Sequence, residues 1–132
     1  MPHLVEIQDA EQIVADDLRA ILGWTCVPAP APDDLGDDLP LAVVEKTGGL
    51  AQTDVSDLHA LSIDVWAGSA GDWSDAKLAA IECENAIQSI EVGGVYKSID
   101  ITTQEYENPD PEHADIPRYT FAVDVVMRGN QL

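Results

Sequence analysis

The strongest constraint in this sequence is an alternation sustained over residues 119–128. Tyr119, Phe121, Val123, Val125 and Met127 share one parity, and Thr120, Ala122, Asp124, Val126 and Arg128 share the other. A period of two is that of a strand with one buried face, because successive side chains point to opposite sides. A second run of the same kind precedes it, with Val95, Lys97, Ile99, Ile101 and Thr103 alternating against Tyr96, Ser98, Asp100, Thr102 and Gln104. Pro109, Pro111 and Pro117 lie between the two and cannot continue a ladder. The pair therefore predicts a long antiparallel hairpin with a stiff, acidic loop from Asn108 to Pro117.

Two further β-like runs lie upstream, Leu41 to Lys46 and Leu61 to Trp66, separated by a polar, glycine-containing stretch from Gly48 to Asp57. In the second run Leu61, Ile63 and Val65 face one way and Ser62, Asp64 and Trp66 the other. Helical spacing appears twice. From Asp9 to Leu22 the apolar residues Ile13, Val14, Leu18, Ile21 and Leu22 gather on one side, with Asp9 and Gln12 placed as a capping box and Gly23 as a stop. From Trp73 to Ile90 a stripe of Ala76, Ala80, Cys83, Ile87 and Ile90 marks a second helix, opened by a turn at 68–72 and closed by Gly93-Gly94. Trp24 to Val27 can add a short strand. This order predicts one α+β domain over 1–132, a mainly antiparallel sheet of four to five strands with two helices packed on it.

The segment from Pro28 to Pro40 differs from the rest. Pro28, Pro30, Pro32 and Pro40 forbid a helix, and Asp33, Asp34, Asp37 and Asp38 crowd it with charge, so it predicts an exposed, extended connector. Its acids lack the alternating ligand spacing of a calcium loop and are expected to be solvated.

Charge removes whole classes of function. The chain carries 25 acidic side chains against six basic ones, a formal net charge of -19. Arg19, Lys46, Lys77, Lys97, Arg118 and Arg128 are scattered singly, which argues against phosphate-led nucleic-acid binding and against a polybasic membrane patch. No apolar run approaches the ~20 residues of a membrane span. The first residues, Met1 to Glu6, have neither the basic nor the apolar region of a secretion signal, and two cysteines are too few for a stapled secreted domain, so an intracellular product is expected.

Catalytic signatures are also missing. Gly48-Gly49 and Gly93-Gly94 lack phosphate-loop spacing, and no serine sits in a GxSxG context. There is no CxxC, and His3, His59 and His113 are dispersed, so neither a metal nor a cofactor is expected. Cys83, on an apolar helical stripe, reads as a small packing residue. His113, flanked by Glu112 and Asp115, reads as an exposed loop histidine, the other reading being a weak pH sensor whose pKa those two acids raise. The expected class is non-enzymatic. Trp66, on the strand face away from Leu61, Ile63 and Val65, is either covered by a helix or held for a subunit contact.

The whole chain, in this order, resembles the tail terminator (tail completion) proteins of phages with long, non-contractile tails. The residues that carry the likeness are Asp9-Ala10-Glu11 and Leu18 to Leu22, Asp38-Leu39-Pro40-Leu41-Ala42-Val43-Val44, Gly48-Gly49, and Ile63-Asp64-Val65-Trp66-Ala67. An alanine-rich helix and the run from Asp110 through Pro117-Arg118-Tyr119 to Val125 complete it, and the two segments around Trp66 and Arg118 are the most telling. The resemblance implies a virion protein that forms a hexameric ring on the head-proximal end of the tail tube. Such a ring ends tube polymerisation and offers a surface to the head-tail connector or stopper, while DNA passes through its lumen without specific binding. On that reading Trp66, Glu105, Tyr106, His113 and Arg118 fall at subunit or tube contacts, with Arg118 facing either a neighbour's carboxylate or an ion pair of its own chain. Two other readings stay open: another ring of the same apparatus, such as the stopper or the tube subunit, and a monomeric acidic adaptor that mimics the charge of DNA.

Overall fold

The computed structural model describes residues 5–6, 9–35, 39–53, 56–68, 73–128 and 130–131. The turn expected at 68–72 beyond Gly68, the acids Asp37 and Asp38, and His3 lie outside them. The elements follow as β1 (Val5–Glu6), α1 (Ala10–Leu22), β2 (Thr25–Pro28), β3 (Leu41–Thr53), β4 (Ser56–Trp66), α2 (Ser74–Gln88), β5 (Tyr96–Glu107), a single 3-10 turn (Pro111–His113), β6 (Arg118–Arg128) and β7 (Asn130–Gln131). Five strands form one sheet in the order β2-β3-β4-β6-β5, and β1 pairs antiparallel with β7 in a two-stranded ribbon. The fold is α+β, as the periodicities predict. All ladders of the main sheet are antiparallel except β2 with β3.

Both helices cover the same sheet face. Asp9 caps α1 by accepting from the Gln12 amide at 3.2 Å, and Gly23, at φ 78°, closes it with its N–H on the Arg19 carbonyl. The capping box is not reciprocal, because the Gln12 side chain donates forward to Asp16 instead of back to Asp9. Ala10, Val14, Ala15 and Leu18 are buried, whereas Ile21, expected on that stripe, is half exposed beyond the edge of the sheet contact. Helix α2 buries Ala76, Ala79, Ala80, Cys83, Ala86 and Ile87, and its small side chains let the backbone approach the strands closely. Its C-terminus is capped by Ser89, whose amide and hydroxyl both bond the Ala86 carbonyl, so the helix stops before the glycine pair. Beneath the helices Cys26, Ala42, Val44, Leu61, Ile63, Val65, Phe121, Val123, Val125 and Met127 complete the main core.

Three further features depart from the expectations. First, β3 and β4 run on through most of the stretch from Gly48 to Asp57, with bulges between Lys46 and Gly48 and between Ala51 and Thr53. The glycines do not break the strand, since Gly49 is required where the Leu58 carbonyl crosses too closely for any Cβ. Second, a bulge between Tyr96 and Ser98 inserts Lys97 into the ladder. One extra residue reverses parity, so Tyr96 is buried on the helix side with Ile99 and Ile101 packed against the same core. There its hydroxyl donates to Asp17 at 2.6 Å. Third, the connector is not simply exposed. It crosses the second sheet face, where Leu35 is buried to 1% against Leu41, Val43 and Trp66, with Val27, Ala29, Ala31, Leu39 and Ile116 around them. The apolar parity positions of β3 and Trp66 require a cover on that side, and an isolated leucine among aspartates supplies it. Burying one such side chain stabilises by about 1.5–3 kcal/mol.

Candidate functional site

The residues singled out in the sequence divide into two places. Trp66, His113 and Arg118 converge where the connector meets the sheet. Glu105 and Tyr106 lie on β5, an edge strand.

Register brings the first group together. Trp66 is the last residue of β4 and pairs with Arg118, the first of β6, so their side chains share the second face. The Arg118 guanidinium carbon lies 5.4 Å from the centroid of the Trp66 ring. Arg118 Nε donates to the Asn108 carbonyl at 2.6 Å and Nη2 reaches the Pro109 carbonyl at 3.5 Å. Its charge is met by Asp64 at 3.8 Å and Asp110 at 3.9 Å. The ion pair within its own chain, one of the two roles open to Arg118, is formed.

The network extends on both sides. Thr120 is buried and donates to Asp64 Oδ1 at 2.6 Å while accepting from the Asn108 amide at 3.0 Å. Asp110 caps the 3-10 turn through the Glu112 amide at 3.0 Å and holds His113 Nδ1 at 2.9 Å. The other ring nitrogen of His113 lies 3.1 Å from the Asp33 carbonyl in the connector. The neighbours expected to act on His113 were Glu112 and Asp115; its principal partner is Asp110. Hydrogen bonds donated by the ring to Asp110 and to the Asp33 carbonyl push the His113 pKa above its ordinary value. Asp110 is held below the usual carboxylate range: burial opposes this, but the bonds from His113 and the Glu112 amide, with the nearby Arg118, outweigh it.

A cleft of about 470 Å³ opens beside this network, lined by Ala29 to Ala31 of the connector, Val43, Glu45, Asp64, Trp66, Asp110 and Arg118. Glu11 closes one end by accepting from the Lys46 amide at 2.7 Å, just past the point where β2 stops pairing with β3. Trp66 itself is 1% exposed, and its indole N–H has no acceptor. It is covered by the connector, not by a helix, and offers no surface to a neighbour while the connector is docked.

On β5, the Glu105 amide donates to Glu84 Oε1 of α2 at 2.7 Å. Burial and the facing Glu105 carboxyl raise the Glu84 pKa to about 7, against the opposing effect of that amide bond. Tyr106 is 46% exposed. Among the described residues no group of three or more His, Cys, Asp or Glu is placed to hold a metal ion. Burial raises both thiols, Cys26 to about 11 and Cys83 well above its ordinary value, which suits packing residues.

Asp64, Asn108, Asp110 and Asp33 complete the network without standing out as contact residues in the sequence. Two signals were present. Asp64 shares parity with Trp66, and Asp110-Pro111 is the start signature of a helical turn, with a capping acid before proline. No protein-family model matches this chain, and no curated protein does.

Proposed function

We propose that this protein is a ring-forming tail-completion protein of the kind found in phages with long, non-contractile tails, a non-catalytic virion component that caps the head-proximal end of the tail tube. The observation that carries the reading is the pairing of the two segments on which the resemblance rests. Val65 opposes Tyr119, Trp66 opposes Arg118, and the Ala67 amide donates to the Pro117 carbonyl at 3.3 Å. Segments some fifty residues apart thus meet as paired strand ends at one end of the sheet.

Two further features support assembly with other subunits. The twelve-residue β5 is an edge strand that carries the exposed Tyr106, and an edge of that length invites pairing or cover. The second sheet face beyond the connector presents Ala60, Ser62 and Ala122 together with Asp100 and Asp124, which oppose each other in register. A negative strip of this kind repels phosphate and suits a lumen through which DNA slides. Partners on this reading are further copies of the chain, the tube subunit, and the connector or stopper of the head.

The deciding measurement is the mass of the purified protein in solution, alone and with assembled tail tubes, joined to imaging of the tube ends. A sixfold species or sixfold density at one tube end is expected. A monomer that never joins tubes, and that instead binds basic targets, would replace this reading with the acidic adaptor. Binding to capsid connectors but not to tube ends would move the protein to another layer of the apparatus.

A further inference from the structure

Both nitrogens of the His113 ring face acceptors. Nδ1 lies 2.9 Å from a carboxylate oxygen of Asp110, and Nε2 lies 3.1 Å from the backbone carbonyl of Asp33. A neutral imidazole carries one N–H and one lone pair, so it can satisfy only one of these partners; the imidazolium satisfies both. The geometry therefore selects the protonated ring.

We propose that His113 is a proton-operated clasp that holds the connector over Trp66 and releases it when the ring loses its proton to solvent. The selectivity follows from the two acceptors. When one proton leaves, the remaining N–H stays with the charged and stronger acceptor, Asp110, which also bonds the Glu112 amide and lies beside Arg118. Nε2 then presents a lone pair to the lone pairs of the Asp33 carbonyl, and the attraction becomes repulsion. The bond that is lost is the one to the connector.

The charged surroundings favour the closed state at low pH. Asp110, Glu112 and Asp115 share the loop with His113, while Asp33 and Asp34 lie exposed on the connector. The cation Arg118 projects from β6 and is matched by Asp110 and by Asp64 of β4. Acids thus outnumber the one cation, and the His113 pKa is raised. The link is complete below the ordinary histidine value and lost as pH rises through the raised folded one.

What the clasp covers makes opening consequential. Leu35 is the only connector side chain among the described residues that is fully buried, and it packs on Trp66, Leu41 and Val43. The closed state also leaves the Trp66 indole N–H without an acceptor. Release of the connector lets water reach that donor, which offsets part of the cost of exposing the ring. The device is independent of the ring-forming reading and holds for a monomer as well.

Histidine ring nitrogen NMR on the intact protein tests it, with His113 assigned by its absence in His113→Gln and the Trp66 indole assigned in Trp66→Phe. At pH 5.5 both His113 nitrogens are expected to be protonated, with a midpoint above 6.5. The Trp66 indole and the Asp34 amide should shift with that same midpoint between pH 5.5 and 9. In His113→Gln this shift should vanish, and in Asp110→Asn the midpoint should fall toward 6.5. One bare ring nitrogen at pH 5.5, or a Trp66 indole that stays fixed while His113 titrates, would overturn the proposal. If either variant fails to fold, sequential backbone-to-side-chain assignment of the wild type identifies the two signals, and its titration then decides.

Discussion

Trp66 and Arg118 stand directly opposite each other on β4 and β6, with the guanidinium carbon 5.4 Å from the indole centroid. The arginine is also fixed by the Asn108 carbonyl and by Asp64 and Asp110, so a planar cation roofs a planar ring at the end of the sheet. The two residues tie together three separate parts of the chain: the end of one strand, the start of another, and the loop between β5 and β6.

Replacing Trp66 separates its bulk from its polar atom. Trp66→Ala removes a fully buried aromatic and is expected to cost about 3–5 kcal/mol in urea unfolding. Trp66→Phe should cost less than about 1.5 kcal/mol, because loss of ring area is offset by removal of a buried unpaired donor worth about 1–3 kcal/mol. A Phe variant as unstable as the Ala variant would mean that the indole N–H is satisfied in solution.

The glycine pair of β3 offers an internal control. A Cβ at Gly49 would overlap the Leu58 carbonyl oxygen, whereas one at Gly48 meets nothing within 4 Å. Gly49→Ala is expected to destabilise by about 1–3 kcal/mol, the usual range for forced overpacking. Gly48→Ala should change stability by less than about 0.5 kcal/mol. Equal effects in thermal unfolding would refute the close crossing of β3 and β4.

Tyr96→Phe removes the 2.6 Å bond to Asp17 without changing the ring. The expected loss is about 1–2 kcal/mol, that of a partly buried hydrogen bond to a carboxylate. Restored stability in the double variant Tyr96→Phe/Asp17→Asn would show that the cost lies in the stranded carboxylate; chemical denaturation of the single and double variants measures it.

Glu84 should make stability fall as pH rises. Its folded pKa, about 7, is above the ordinary 4.5, so folding favours the protonated form. The contribution is complete below pH 4.5 and is lost as pH rises through about 7. Glu84→Gln keeps an acceptor for the Glu105 amide and removes the titration. It should gain less than ~1 kcal/mol at pH 8 after solvent screening, and nothing at pH 4. A variant whose pH profile matches the parent would place the titration elsewhere.

Much of this fold was legible because its long strands alternate and its helices carry stripes. The face shared by Tyr119, Phe121, Val123, Val125 and Met127, and the opposite placement of Trp66, follow from parity alone. Parity misleads where a bulge resets it, as at Lys97, and nothing local announces a bulge. Gly48 and Gly49 look like a break because the pairing that keeps them extended comes from β4, which is a tertiary effect. The parallel pairing of β2 and the docking of Leu35 depend on contacts made across the sheet. At the site, Trp66, His113 and Arg118 stand out by type, whereas Asp64, Asp110 and Asp33 are lost among 25 acids; the β4–β6 register selects Asp64, and the loop and the connector bring Asp110 and Asp33 to His113.

The parallel register of β2 and β3 sets a mechanical requirement on the chain between them. Thr25 lies beside Leu41 and Pro28 beside Val44, so after Pro28 the backbone must travel back the whole length of β2 before Leu41 can begin. The described residues of that return, 29–35 and 39–40, contain neither helix nor strand and pack against a face of the sheet. Its contour length is therefore a structural parameter in its own right. Shortened below the return distance, the segment would pull β2 out of the sheet.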